Sequence, residues 1–246
     1  MSDLKAFLDS LPDQLRSLNA DSPLHAISKL WLIEATRAKY AYQLTWMDRP
    51  IIQLPQDMVA MQEIIWRTRP EVIVETGVAH GGSLVYYASL LELIGGDGFV
   101  VGVDIEIRAH NRKAIESHPM KPRIRLIEGS SIDPTVVARV HEVCKDKSRV
   151  LVILDSMHTH DHVVAELEAY SPLVRKDGYL AVFDTAIEDV PDDCFPDRPW
   201  GVGNNPKTAV HAFLKRNTRF RIDKDIESKL MITVAPDGYL RCIADP

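Results

Sequence analysis

The chain has 246 residues, 35 of them acidic and 29 basic, so its formal net charge is −6, and 46% of its residues are hydrophobic. This hydrophobic content is typical of globular chains, and the acidic balance argues against nucleic acid as the main partner. No apolar run approaches the roughly 20 residues that span a bilayer, and the first residues lack a secretion-signal pattern. Cys144, Cys194 and Cys242 are too far apart for a disulfide framework or a zinc site. These features predict a cytoplasmic enzyme or small-molecule binder.

The first 55 residues are predicted to form a helical extension. Apolar side chains recur there at helical spacing, at Leu4, Phe7, Leu8 and Leu11. A second periodic stretch runs from Leu24 to Leu44. Because this part holds no chemical motif, we interpret it as a helical cap or an oligomer contact, with a substrate lid as the alternative. Its apolar helices favour a homodimer or a larger homo-oligomer, and residues 56–246 are expected to form the main domain.

From residue 70 onward, short apolar runs alternate with longer helical ones. Five runs are apolar at consecutive positions, as strands buried on both faces of a parallel sheet are: 72–74, 99–103, 124–127, 150–154 and 179–183. Helices are predicted at 56–68, 83–94, 108–118, 134–146, 161–174 and 206–217, and closing strands at 219–223, 230–235 and 239–243. This alternation predicts a doubly wound, Rossmann-like α/β fold with a mostly parallel sheet of seven strands.

Three loops after successive strands carry residues suited to a nucleotide-like ligand, which in such sheets binds beyond the carboxyl ends of the strands. The first is a glycine-rich turn with Glu75, Gly77, Gly81 and Ser83. Asp104 follows the second strand. Its distance along the chain from the glycine-rich turn is close to that of the acidic residue that binds ribose hydroxyls in nucleotide-binding folds. Ser130 and Ser131 follow the third strand. Each loop alone is equally typical of a turn or a helix cap, but three together favour a ligand site.

The next two strands end in carboxylates, Asp155 and Asp184. Neighbouring strand ends meet at one edge, and carboxylate oxygens suit Mg²⁺, so a metal site is predicted there, with two helix caps as the alternative. His158, His160 and His162 follow Asp155. His160 and His162 are interpreted as a solvated helix start or a substrate contact. The alternative is a transition-metal site, because imidazole suits zinc or iron better than magnesium.

Taken together, Glu75-x-Gly77-x-x-x-Gly81-x-Ser83, Asp104 and Gly129-x-Ser131-x-Asp133 resemble the class I S-adenosylmethionine-dependent methyltransferases, above all the metal-dependent catechol-type O-methyltransferases. Further segments resemble the cephalosporin hydroxylase/rhamnosyl O-methyltransferase family over about 170 residues. The segments are Arg69-Pro70 through Gly77, Leu154-Asp155-x-x-His158, Gly178 through Thr185, and Pro236-Asp237-Gly238-Tyr239-Leu240.

The resemblance implies an S-adenosylmethionine-dependent O-methyltransferase that acts on a hydroxyl of a small molecule or sugar, and it implies a role for each candidate residue. Gly77 and Ser83 would face the methionine part, Asp104 the ribose, and Ser130 and Ser131 the adenine, with Glu75, Gly81 and Asp155 completing the cofactor site. Asp155, Asp184 and Thr185 would hold Mg²⁺. His158, with Asp155 beside it, is the candidate general base, since an imidazole with a pKa near 6.5 can accept a proton at neutral pH.

Two positions depart from the pattern of the relatives. Phe183 stands where hydroxylase-like relatives carry Glu, and Thr185 stands where catechol-type relatives carry Asn. A hydroxylase-type oxidoreductase and a non-catalytic cofactor-binding subunit therefore stay as alternatives, although Ala79 in place of a second glycine counts against a dinucleotide. The long loop 186–205 is expected to be a lid, in which Trp200 either stacks on a sugar or aromatic ring or packs on the surface.

Overall fold

The computed structural model describes residues 2–20 and 22–246. Two helices open this part of the chain, α1 (Ser2–Ala20) and α2 (Ser22–Arg37), followed by a short hairpin of β1 (Thr45–Trp46) and β2 (Arg49–Pro50). The remaining helices are α3 (Pro55–Thr68), α4 (Gly82–Ile94), α5 (Ala109–Glu116), α6 (Pro134–Cys144), α7 (His160–Tyr170), α8 (Pro206–Leu214) and α9 (Lys224–Leu230). The remaining strands are β3 (Val72–Thr76), β4 (Phe99–Asp104), β5 (Ile124–Glu128), β6 (Val150–Leu154), β7 (Tyr179–Val182), β8 (Phe220–Ile222) and β9 (Tyr239–Cys242). None of the described helices combines the length and the apolar character needed to cross a membrane.

The seven strands β3–β9 form one sheet in the order β5-β4-β3-β6-β7-β9-β8. Strands β3 to β7 are parallel to one another, whereas β9 runs antiparallel to both β7 and β8. The chain order reverses at β3, which lies between β4 and β6. The predicted doubly wound, mostly parallel seven-stranded sheet is confirmed, and the N-terminal residues are helical as expected. The division into domains 1–55 and 56–246 stays a prediction.

The core consists of two apolar layers, one on each face of the sheet. Alternate residues of a strand point to opposite faces, so Ile73 packs in the layer with α3 and α4, while Val72 and Val74 pack in the layer with α6, α7 and α8. Because both faces are covered, β3 and β6 are buried at every position. This is why their sequences are continuous apolar runs instead of alternating ones.

The prediction of a strand at 230–235 was wrong. Residues 224–230 form α9, and the β-branched residues after it lie in an extended loop without a partner strand. The Thr233 hydroxyl and the Val234 N–H donate to Asp57, a buried carboxylate of α3. This segment therefore satisfies a buried side chain of a helix instead of pairing with another strand. Several predicted α-helices also end early: the stretch to Leu44 is α-helical only to Arg37, and the one to 174 only to Tyr170. A short 3₁₀ turn follows in each case.

The carboxyl ends of β3 and β6 approach each other closely at Gly77. Gly77 has φ +92°, and a Cβ atom there would lie 2.0 Å from the Asp155 carbonyl oxygen. The Gly77 N–H donates to the Val103 carbonyl at 2.7 Å, and the Asp155 N–H donates to the Thr76 carbonyl at 3.0 Å. These two hydrogen bonds hold the two strand ends against each other. Glycine is therefore needed at this position both for its φ angle and for its lack of a side chain.

Gly77→Ala should destabilise the protein far more than Gly96→Ala. Both glycines have positive φ, but a Cβ at Gly96 would meet nothing within 4 Å. The control should cost about 1–2 kcal/mol, or roughly 2–8 °C in Tm for a chain of this size. Gly77→Ala should lower Tm by more than twice as much, or prevent folding. Equal shifts in thermal melts would show that the Asp155 carbonyl imposes no constraint.

Candidate functional site

The glycine-rich turn after β3 is held by the carboxylate at the end of β4. Asp104 Oδ2 accepts hydrogen bonds from the Val78 N–H at 2.8 Å and the Ala79 N–H at 3.3 Å. Ala79 adopts a φ of +44°, so the turn is left-handed even where the dinucleotide fingerprint has glycine. The residue predicted to bind ribose therefore also sets the shape of the neighbouring turn.

Two predicted cofactor residues bind each other beneath this turn. The Ser83 hydroxyl donates to Glu75 Oε2 at 2.8 Å, and Glu75 is fully buried. Its other oxygen, Oε1, has no hydrogen-bond partner in the described chain. Burial raises the pKa of Glu75 to about 8, with a smaller contribution in the same direction from the charge of Asp104. Gly81 begins the turn into α4 with φ +81°.

The loop after β5 is fixed from behind by α7. The Ser131 carbonyl accepts from the Tyr170 hydroxyl at 2.6 Å, and Ser131 Oγ lies 3.1 Å from His162 Nε2. The Ser130 carbonyl accepts a hydrogen bond from the Asp133 N–H at 3.0 Å. Asp133 caps α6, since its side chain accepts from Thr135 and Val136 N–H. The structure thus gives this loop both a capping residue and a firmly held serine.

The ends of β6 and β7 bring three potential metal ligands together. One atom each of Asp155, His158 and Asp184 lies within 4.8 Å of the others, and His158 Nε2 is 3.1 Å from Asp184 Oδ2. Desolvation of the carboxyl group, followed by the charges of Asp184 and Glu75, raises the pKa of Asp155 well above its usual value. Asp184 adopts a left-handed φ of +56°, a conformation that Asp tolerates better than most residues.

The donor set of this cluster fits a divalent cation. No lysine or arginine of the described residues forms an ion pair with Asp155 or Asp184. The charge of Asp184 is one cause of the raised pKa of Asp155, and a cation placed between the two carboxyl groups would remove that repulsion. Two carboxylates leave the remaining positions of a Mg²⁺ ion free for water or substrate oxygens.

The two residues that depart from the relatives have other partners. The Thr185 hydroxyl donates to the Pro236 carbonyl at 2.6 Å, and Thr185 is fully buried. Phe183 is 2% exposed and its ring meets Tyr239 edge-on at 6.4 Å. Phe183 therefore belongs to the core, and a metal-binding role for Thr185 stays a prediction.

His160 and His162 do not join the carboxylate cluster. His160 begins α7, where its Nδ1 lies 2.8 Å from the Thr208 hydroxyl and its N–H donates to Asn204. His162 Nε2 lies among Ser131, Ser156 and Glu166. The two imidazoles contact different groups, so the alternative of a shared histidine metal site receives no support from the described residues.

The loop 186–205 covers the cluster from one side. It contains short helical turns at Thr185–Asp189 and Asp192–Cys194, and Asn205 ends it with a capping box on α8. Trp200 contacts His158 edge-on, with ring centroids 4.7 Å apart. The tryptophan is therefore adjacent to the predicted base, where it can also form one wall of an acceptor site.

Comparison with known proteins identifies the family. The family model described as Rhamnosyl O-methyltransferase/CmcI matches residues 38–243. The chain belongs to this family. The rhamnosyl O-methyltransferase of Mycobacterium tuberculosis (strain H37Rv) is 31% identical over 187 residues, which cover 75% of this chain and 72% of the relative. That of Mycobacterium leprae is 28% identical over 199 residues, covering 80% and 82%. The predicted family and the predicted class of enzyme, a methyltransferase, are confirmed.

Solved structures show the same fold at lower identity. A structure of CmcI with Mg and SAM has a TM-score of 0.57 at 20% identity and covers 82% of this chain and 78% of its own. An O-methyltransferase from Bacillus cereus in complex with SAH has a TM-score of 0.51 at 14% identity, with coverage of 89% and 90%. At this identity the likeness establishes the Rossmann-like methyltransferase fold.

Glu75→Gln should change how the stability of the ligand-free protein depends on pH. The pKa of Glu75 is about 8 when folded, against an ordinary value of 4.5, so between these values the folded chain keeps a proton that the unfolded chain has lost. Stability from neutral Glu75 is therefore present at low pH and is lost as the pH rises through about 8. Melts at about pH 6 and about pH 9 should show a smaller loss of Tm for Glu75→Gln than for the wild type. The exposed Glu63→Gln should behave as the wild type, and identical pH slopes for all three proteins would contradict the assignment.

Proposed function

We propose that this chain transfers the methyl group of S-adenosylmethionine to a hydroxyl of a sugar or natural product, assisted by a divalent cation at Asp155 and Asp184. The observation that carries the proposal is the cluster of Asp155, His158 and Asp184 at the edge of the sheet where the glycine-rich turn lies. Relatives named rhamnosyl O-methyltransferase support a sugar hydroxyl as the acceptor.

S-adenosylmethionine is the methyl donor, and the chain has residues suited to each of its parts. The methionine part carries an ammonium and a sulfonium, and Glu75 Oε1, which has no hydrogen-bond partner in the described chain, lies near the turn that would hold it. Once Glu75 has released its proton, this oxygen would accept from the ammonium. Asp104 offers a carboxylate for the ribose hydroxyls, because an ionised carboxylate only accepts hydrogen bonds. Ser130 and Ser131 border the adenine.

Asp155 and Asp184 would hold the cation, with Mg²⁺ favoured by their oxygen ligands. When bound, the cation would lower the pKa of an acceptor hydroxyl and fix its direction. His158 lies close enough to be either the base or a third ligand. We assign it as the base because its Nε2 contacts Asp184. With the Nε2–H donating to that carboxylate, Nδ1 carries no proton and can accept one.

Methyl transfer itself is a displacement at carbon. A lone pair of the acceptor oxygen forms the new C–O bond, and the electrons of the breaking C–S bond return to sulfur, which becomes neutral. The acceptor proton passes to His158. Asp184 orients the imidazole, and Trp200 packs edge-on against it. The contribution of the fold is to hold the three reacting atoms in line.

Isothermal titration tests the cofactor first. The wild-type protein should bind S-adenosylmethionine and S-adenosylhomocysteine and should not bind NADH, each with and without Mg²⁺. Binding of NADH alone would contradict methyl transfer and would favour the oxidoreductase alternative. Binding of the two adenosyl compounds without turnover on any acceptor would favour a non-catalytic subunit.

Asp184→Asn should separate metal binding from cofactor binding. Removing one of the two carboxylates should raise the Mg²⁺ concentration needed for half-maximal methyl transfer by about tenfold or more, while the Kd for S-adenosylhomocysteine stays within about threefold. Chelation of the wild type should abolish transfer, and added Mg²⁺ should restore it. Asp197→Asn, which alters an exposed acid of the loop, is the control. Unchanged Mg²⁺ dependence in Asp184→Asn would refute the metal site.

His158→Ala should lower kcat near pH 7 by about 10²- to 10⁴-fold, the usual contribution of a general base. The Kd for S-adenosylmethionine and the Mg²⁺ requirement should stay near those of the wild type, because a base is not needed to bind either. Higher pH should recover part of the rate. A Mg²⁺ requirement that rises in parallel with the loss of rate would instead identify His158 as a metal ligand.

The protein is further proposed to be a homodimer or larger homo-oligomer through α1 and α2. Large apolar side chains are exposed on both helices, among them Leu4, Phe7, Leu8, Ile27 and Leu30. Exposed apolar side chains in such number are typical of protein interfaces. Phe7→Glu should shift the mass measured by light scattering toward the monomer. Leu93→Glu changes a side chain that is 81% exposed on α4 and should leave the mass unchanged; a monomeric wild type would refute the proposal.

A further inference from the structure

A row of polar side chains on α7 lies behind the predicted adenine loop. His162, Glu166 and Tyr170 are spaced four residues apart, so they share one face of the helix. Glu166 and Tyr170 are fully buried, and the His162 side chain is 17% exposed. Burying a carboxylate and an imidazole together is costly unless both are well bonded, so this row requires an explanation beyond packing.

The row reaches the loop through two contacts and is linked internally by Ser156. Tyr170 donates to the Ser131 carbonyl at 2.6 Å, and His162 Nε2 lies 3.1 Å from Ser131 Oγ. Ser156 Oγ lies 3.2 Å from the same Nε2 and donates to Glu166 Oε1 at 2.7 Å. Glu166 Oε1 is itself 3.5 Å from His162 Nε2. The carbonyl and the hydroxyl of Ser131 are thus both held from α7.

Counting protons sets the direction of these bonds. Ser156 has one hydroxyl proton, which goes to Glu166, so toward His162 it can only accept. Ser156 Oγ and Glu166 Oε1 both present acceptor lone pairs to Nε2 of His162, which favours an N–H at that atom. This N–H is shared between the two serines, and its contact with Ser131 Oγ, at 3.1 Å, is the shorter one. The hydroxyl proton of Ser131 is left over, since Ser131 Oγ has no other hydrogen-bond partner among the described residues.

We propose that His162 and Glu166 are positioning residues that make the Ser131 hydroxyl a fixed donor toward a ring nitrogen of adenine. The inference rests on the proposed function, which places the adenine at Ser130 and Ser131. The ring nitrogens of adenine accept hydrogen bonds and its exocyclic amine donates them. A serine whose lone pair is occupied by His162 and whose carbonyl is held by Tyr170 presents its proton to an acceptor.

The test is a double-mutant cycle on His162 and Ser131, read by the Kd for S-adenosylhomocysteine and by the KM and kcat of methyl transfer. Ser131→Ala and His162→Ala should each raise the Kd, and the KM for S-adenosylmethionine, by about tenfold, the loss of roughly one hydrogen bond. The kcat at saturation should stay within about twofold. In the Ser131→Ala background, His162→Ala should have no further effect, because its action passes through the hydroxyl.

Two further variants distinguish a positioning role of His162 from a purely structural one. His162→Gln should restore the Kd to within about threefold of the wild type, since its amide N–H can replace Nε2–H. His141→Ala removes another partly buried histidine, whose Nε2 donates to the Ala169 carbonyl of α7 at 2.8 Å, and should leave the Kd unchanged.

Three results would overturn the inference. They are an equal effect of His162→Ala with and without the Ser131 hydroxyl, an equal effect of His141→Ala, and a change in Tm without a change in Kd. If His162→Ala does not fold, a wild-type Kd in Ser131→Ala would overturn it equally. A wild-type protein that binds neither adenosyl compound would refute the proposed function itself. Normal binding by the wild type, together with an unchanged Kd in His162→Ala, would refute only the positioning role.

Discussion

The contact between the carboxyl ends of β3 and β6 is the constraint on which the rest of the site depends. The absent side chain of Gly77 lets the turn lie directly against the Asp155 backbone. The chain segment suited to the cofactor and the segment that carries the acidic cluster are thereby placed next to each other. A methyl group held at the turn would then face an oxygen held at the cluster, without any movement of either strand.

This arrangement concentrates carboxyl groups that are poorly solvated. Glu75, Asp155 and Glu166 all have carboxyl groups with little access to water, and Asp57 is buried nearby, where desolvation raises its pKa to about 6. Groups of this kind reduce the stability of the empty protein. Ligands that bring positive charge raise the stability again when they bind. The carboxyl groups that destabilise the ligand-free protein therefore favour the binding of a cationic cofactor and a metal ion.

The sequence predicted most of the fold because the central parallel strands β3, β6 and β7 are buried on both faces and so appear as apolar runs. The prediction failed at 230–235, where β-branched residues lie in a loop and donate hydrogen bonds to Asp57. Local composition does not reveal such a tertiary contact. Asp155, Asp184 and His158 were predictable since they follow strand ends, which converge in any sheet of this type. Glu166 was missed because a helical glutamate looks solvent-exposed until the buried face of α7 is known, although its spacing from His162 was visible.

The position of β9 affects the order in which the sheet can be completed. β9 follows β8 in the chain but lies between β7 and β8. Until β9 has emerged from the ribosome, β7 keeps an open edge and β8 has no strand to join. The partners of Asp57, namely Thr233, Val234 and Tyr239, arrive in the same late segment. The interior acid Asp57 and the open edge of β7 therefore both depend on the last segment of the chain for their partners.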